Sequence, residues 1–176
     1  MDLYDCNVYN FNFNILVSGT SENNNLSNLN LYNSSNRNID NGGNNNIFKN
    51  ITTFGGLFYS GGNYCEFYNI EISDSFNGFL LKYNNNYFEN ITINNMSGGA
   101  MTLDPSTEYN TFKNVNIYNS DSGVYTGSSN VDHNTFINFN FENITDYGFG
   151  TNSVNGTYVN FTFKNVGGDA FQFNLN

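Results

Sequence analysis

One short phrase, a large apolar residue, a spacer, an asparagine and then alternating apolar and polar residues, returns eight times along 176 residues. Its asparagines are Asn10, Asn28, Asn50, Asn69, Asn90, Asn114, Asn138 and Asn160, at intervals of 18, 22, 19, 21, 24, 24 and 22 residues. The apolar residue two places earlier is Val8, Leu26, Phe48, Phe67, Phe88, Phe112, Phe136 or Tyr158. A period near twenty residues, carried through the chain, means one supersecondary unit stacked on copies of itself. Residues 1–176 therefore read as a single repeat domain, with no room for a second, unrelated one.

Within each repeat the residue after the asparagine is apolar (Phe11, Leu29, Ile51, Ile70, Ile91, Val115, Phe139, Phe161). So is the residue two further on, from Phe13 and Leu31 to Phe141 and Phe163, with Thr53 the exception. The residue between them is polar. Alternation of this kind in β-branched and aromatic residues specifies a strand with one buried face. A second polar column follows at Asn33, Asp74, Asn95, Asn119, Asn143 and Asn165. A third precedes each phrase at Asn24, Asn46, Asn86, Asn110 and Asn134, where Cys6 and Cys65 replace the amide. Asparagine tolerates left-handed backbone and bonds to neighbouring peptide groups, so these columns mark bends. Glycines at 78, 99, 123, 148 and 168 mark a further corner, and each coil reads as about three short strands. Stacked coils also let each amide donate to the next along the axis.

These coils, inward Ile/Val/Phe columns and asparagine ladders resemble the right-handed parallel β-helix of pectate-lyase-like proteins. The resemblance covers Val8 to Phe173 and implies an all-β, single-stranded solenoid of about eight coils, 18–24 residues each, without obvious caps. The fold hosts lyases, hydrolases, tailspikes and adhesins alike, so it does not choose a function.

The composition narrows the choice. Asparagine supplies 41 residues, Lys and Arg five, and the formal charge is −10. Nucleic acid and anionic membranes are excluded as expected partners, because both need clustered basic residues. No apolar run is long enough to span a bilayer, and no signal peptide is visible in residues 1–14. The β-helix enzymes that the fold resembles use Arg or Lys bases with carboxylates, or clustered aspartates. Here Arg37 is the single arginine and lies in an Asn/Ser stretch. No catalytic residue, metal site or cofactor is expected. The alternative is an acidic corner of Asp121, Asp146 and Asp169, spaced so that carboxylates stand roughly 5–10 Å apart on one face, as in glycosidases. Its plain alternative is a solvated strip at turns. His133, the only histidine, lacks a second His or Cys ligand nearby and reads as a loop residue.

Of the Asn-x-Ser/Thr matches, Asn25 and Asn155 are the glycosylation candidates, while Asn50, Asn90 and Asn160 are expected to point inward. Tyr32, Phe54, Tyr59, Tyr83, Tyr118 and Tyr125 read as outward aromatics, able to stack on sugar rings or on another chain. Outward threonines at 52, 92 and 162 are interrupted by Glu71 and Asn116, which disfavours ice binding.

The expected function is a structural or interaction protein, a β-helical subunit of an extracellular or virion fibre, filament or adhesin stalk. Self-association is expected, with coils stacking head to tail and 26 residues separating Asn160 from Asn10 of the next copy. The alternative is a polysaccharide-binding or polysaccharide-cleaving module, with carbohydrate as its partner. The expected location is extracellular, cell-surface or virion.

Overall fold

The computed structural model describes residues 1–127, 131–153 and 155–173. Among these residues sixteen strands form two eight-stranded sheets, and every pairing between neighbours is parallel. The odd-numbered strands make one sheet, in the order β1 (Asp2–Tyr9), β3 (Asn25–Tyr32), β5 (Ile47–Phe54), β7 (Glu66–Ser75), β9 (Tyr87–Met96), β11 (Thr111–Ser120), β13 (Thr135–Ile144) and β15 (Thr157–Val166). The even-numbered strands make the other: β2 (Phe13–Val17), β4 (Arg37–Asn41), β6 (Leu57–Ser60), β8 (Phe79–Leu81), β10 (Gly99–Leu103), β12 (Ser122–Thr126), β14 (Phe149–Thr151) and β16 (Phe171–Phe173). The chain is thus an all-β solenoid of eight coils, with no helix among the described residues.

The three segments expected per coil are present, but the first two run on as one bent strand. In β9 the bends fall at Asn90 and Asn95, with φ of 58° and 60°, and Asn90 takes no partner in the ladder between Glu89 and Ile91. Left-handed backbone costs asparagine little, which is why the bends recur at that residue.

Side-chain columns fill the space between the sheets. Phe48, Phe67, Phe88, Phe112 and Phe136 are each fully buried, and neighbouring rings stack with centroids 4.6–5.1 Å apart. A second column runs Leu29, Ile51, Ile70, Ile91, Val115, Phe139, and a third runs Leu31, Thr53, Ile72, Ile93, Ile117, Phe141. The short strands answer with Ile39, Phe58, Phe79, Met101, Val124 and Phe149. Parallel strands a rung apart place identical positions over one another, so a repeat of about twenty residues becomes a continuous core.

The first coil is displaced from the expected register by five residues. Leu3, Cys6 and Val8 pair with Leu26, Leu29 and Leu31, so they begin the three apolar columns in place of Val8, Phe11 and Phe13. Phe11 is exposed. The glycine corner also shifts: Gly78, Ala100, Gly123, Gly148 and Ala170 share a column, whereas Gly99 and Gly168 lie outside it. A Cβ on Gly123 would approach the Gly148 carbonyl oxygen to 1.9 Å, so that rung excludes any side chain.

Candidate functional site

The principal amide ladder begins at Asp5. Asn28 donates from Nδ2 to Asp5 Oδ1 at 2.8 Å, and Asn50 donates to Asn28 at 3.0 Å. Asn69, Asn90, Asn114, Asn138 and Asn160 continue the series, each donating to the rung before it at 2.8–3.1 Å. All eight residues, Asp5 included, have φ between 52° and 58°. The shared conformation aligns the side chains from coil to coil, where one lone pair meets one N–H of its neighbour. Asn10 is not a rung. It belongs to the second column with Asn33, and its N–H donates to the Tyr32 carbonyl. The phrase Leu3-Tyr4-Asp5-Cys6 carried the signal, hidden because an acid and a thiol replace the usual asparagine and aliphatic.

This ladder faces solvent: Asn28, Asn50, Asn69, Asn90, Asn138 and Asn160 are exposed and Asn114 is half-buried. The expectation that Asn50, Asn90 and Asn160 point inward is corrected accordingly. The inward ladder is the third column, Asn24, Asn46, Asn86, Asn110 and Asn134, all buried. Here hydrogen bonds run to the backbone as well as between amides such as Asn24 and Asn46. Asn134 Oδ1 accepts the Asn110 N–H, Asn110 Oδ1 accepts that of Asn86, and Asn86 Oδ1 accepts that of Cys65, each at 2.8 Å. The residues just before them, including Tyr64, Tyr109 and His133, have positive φ and leave these N–H groups outside the strand ladder. A fourth ladder, unforeseen from the sequence, lies two residues upstream. Asn44 Oδ1 accepts the Asn63 N–H at 2.9 Å and Asn63 Oδ1 accepts that of Asn84 at 3.0 Å.

Only Cys65 occupies the third column; Cys6 stands in the second apolar column, paired with Leu29. Both thiols are free, and burial pushes that of Cys65 up.

The acidic corner is assembled in part. The Asp146 N–H donates to the Asp121 carbonyl, stacking those two aspartates on successive coils. Asp169 stands over Tyr147, one residue out of that column. All three are exposed, and no group of three His, Cys, Asp or Glu residues among those described converges on a metal position. His133 is exposed and stacks on Tyr109 with centroids 4.8 Å apart. Arg37 is engaged by Asp40 at 2.9 Å and lies over the Tyr59 ring at 4.1 Å. Asn25 is exposed within β3, and Asn155 is exposed in the turn before β15.

Among the outward aromatics, Tyr9, Tyr32 and Phe54 stack face to face, at 4.6 and 5.2 Å with interplanar angles of 7° and 2°. The faces of Tyr32 are consumed by its neighbours, so this strip offers solvent ring edges in place of a platform. A second strip combines rings and charges. Tyr68 donates to Glu66, Tyr87 donates to Glu89, Lys113 pairs with Glu89 at 2.9 Å, and Lys49 lies 5.2 Å from the Tyr68 ring.

A notch of about 410 Å³ interrupts the surface beside the second column. Only Gly55 and Gly56 join β5 to β6, whereas residues 33–36 join β3 to β4, so coil three is sunken between its neighbours. Ser34, Asn36, Phe76 and Asn77 are among the lining residues, and Phe76 is 69% exposed. Gly56 has φ 102°, and a Cβ there would meet Ser34 Oγ at 2.1 Å. A side chain there would be strained by the left-handed backbone and would displace Ser34.

The two end faces differ from the rest of the surface. Among the described residues, β1 and β2 each have one neighbour strand, as do β15 and β16. Leu3, Cys6, Val8 and Ile15 at one end, and Tyr158, Phe161, Phe163 and Phe171 at the other, are only partly buried against the core. No family model, curated protein or solved structure matches this chain.

Proposed function

We propose that the protein is a structural and interaction module, a right-handed pectate-lyase-like β-helix whose end faces join further β-helical coils in an extracellular or virion fibre, filament or adhesin stalk. The observation that supports this reading is the pair of end faces: among the described residues, parallel strands with one neighbour each surround apolar columns that stop half-covered. Such edges template pairing with another chain. Rotation-translation contacts of this heterologous kind generate open filaments. The exposed amide ladder, in which each rung donates to the one before it, suits a shaft, since it engages its own polar groups from coil to coil. Light scattering and electron microscopy of the 176-residue chain test the reading. The expected particles are slender and concentration-dependent in length, with an axial repeat of about 38 Å for eight coils at ~4.8 Å. A discrete monomer at every concentration would overturn it.

A glycan-binding module is the second reading, supported by the Ser/Asn notch with Phe76 and Asp74 among its lining residues. Binding of a neutral oligosaccharide that Phe76→Ala abolishes would favour it, and cleavage abolished by Asp121→Ala or Asp146→Ala would favour an enzyme.

A further inference from the structure

We infer that the notch beside the second column is a subsite for one pyranose ring of a non-acidic sugar, seated on Phe76, and that Asp74 excludes acidic sugars from it. The inference rests on the glycan-binding reading above and adds the size of the subsite, the charge class of its sugar and the residue that sets that class.

The size follows from corner lengths. Tyr32, Phe54 and Ser73 share a column on one sheet, and Ile39, Phe58 and Phe79 share one on the other. The chain between these columns spans residues 33–38 in coil two and 74–78 in coil four, but only 55–57 in coil three. The longer corners therefore stand two rungs apart, about 9.6 Å between backbones, with the short one as a floor. Walls on both sides along the axis stop the notch at about 410 Å³, so it suits one ring with its hydroxyls and not a run of rings along the shaft.

The lining offers the two kinds of contact that a pyranose needs. Phe76 is the most exposed ring among the described residues, at 69%, and stacks on no other ring among them. Its negative π face suits the C–H face of a sugar. Tyr32, by contrast, has both faces covered. Ser75 Oγ accepts the Gly56 N–H and Asn77 Oδ1 accepts the Gly99 N–H, each at 3.2 Å, which ties the lining to its neighbouring coils. The Asn36 side-chain amide and Asn77 Nδ2 have no partner among the described residues and are free to meet ring hydroxyls.

Asp74 sets the charge. Asn33, Asn95, Asn119 and Asn143 hold its place in the second column on other coils, with φ between 48° and 60° against 57° for Asp74, so the backbone does not require an acid there. Asp74 Oδ1 accepts the Asn95 amide at 2.6 Å. The rung on its other side is Gly55, which has no side chain, and Oδ2 has no partner among the described residues. A carboxylate with a free oxygen accepts sugar hydroxyls and repels a second carboxylate. No lysine or arginine lines the notch to offset that repulsion.

Saturation-transfer NMR tests this, because it reads the ligand whether the protein is single or joined. The probes are the methyl pyranosides of glucose, galactose and mannose and the corresponding methyl uronides, each with the unaltered chain, Phe76→Ala and Asp74→Asn. At least one neutral pyranoside is expected to bind the unaltered chain with a Kd of roughly 1 mM, the scale of a single weakly held ring. Phe76→Ala, a surface change, is expected to weaken it about tenfold. The matching uronide is expected not to bind the unaltered chain and to bind Asp74→Asn about as well as the neutral sugar does. Neutral-sugar binding that Phe76→Ala leaves unchanged overturns this subsite while leaving a glycan-binding module in place. A uronide that binds the unaltered chain as well as its neutral counterpart overturns the role of Asp74. No binding of any pyranoside overturns the single-ring subsite, and no binding to longer glycans on an array as well overturns the glycan reading itself.

Discussion

Thr53 sits fully buried in a column of Leu31, Ile72 and Ile93, and its hydroxyl has no hydrogen-bond partner among the described residues. The backbone accepts threonine there because β-branching suits the strand, but the hydroxyl loses water and gains nothing. Thr53→Val is therefore expected to stabilise the protein by about 1 kcal/mol, read as a higher denaturant midpoint at unchanged slope. Asn110 is the opposite case. Its amide accepts the Asn86 N–H and donates to the carbonyls of Tyr83 and Glu108. Asn110→Ala strands a buried backbone donor and two carbonyls, and a loss of roughly 3 kcal/mol or more is expected in the same denaturation experiment. Two polar residues in one narrow core thus carry opposite signs, and partnership decides which.

At the scale of single strands, the outward positions of β7 and β9 bind neighbouring coils through paired side chains as well as through peptide groups. Burial and the hydrogen bond to Glu66 push the Tyr68 phenol from 10.0 up to about 12. Its folded value lies above its unfolded one. The contribution to stability is therefore complete below pH 10.0 and is lost as the pH rises through about 12. Tyr68→Phe is expected to flatten that alkaline limb, measured by thermal unfolding from pH 9 upward, roughly across the phenol range. The bent strands also explain the shape of the coil. A left-handed residue at Asn90 and again at Asn95 turns β9 without ending it, so both flanking segments stay in one hydrogen-bonded sheet.

Across the whole molecule, contacts run between successive coils, and stability is expected to fall from the middle toward both ends. Amide hydrogen exchange should be slowest in β7 to β11 and fastest in β1, β2 and β16. Uniform protection would contradict a one-dimensional array. Phe88→Ala removes a fully buried ring stacked on Phe67 and Phe112, at an expected cost of about 3–5 kcal/mol. Phe161→Ala, in the half-covered last coil, should cost clearly less in the isolated chain.

The coil count, the inward columns of coils two to eight and the bends at asparagine were legible in residue spacing alone. Parallel stacking converts a sequence period directly into spatial columns, and side-chain alternation reports which face is buried. Direction and depth were not legible. The same asparagine at φ near 55° serves an exposed ladder at Asn90 and the bend at Asn95, while the buried ladder uses Asn110 in another backbone conformation. Residue type does not distinguish them, because burial follows from which corner turns toward the opposite sheet. The start of the first coil is hidden for a related reason: Asp5 and Cys6 keep the shape of a rung without its usual chemistry, and only pairing with Asn28 and Leu29 reveals their places. The notch over Gly56 likewise exists only because a short corner lies between two longer ones, a relation among three coils that no single repeat contains.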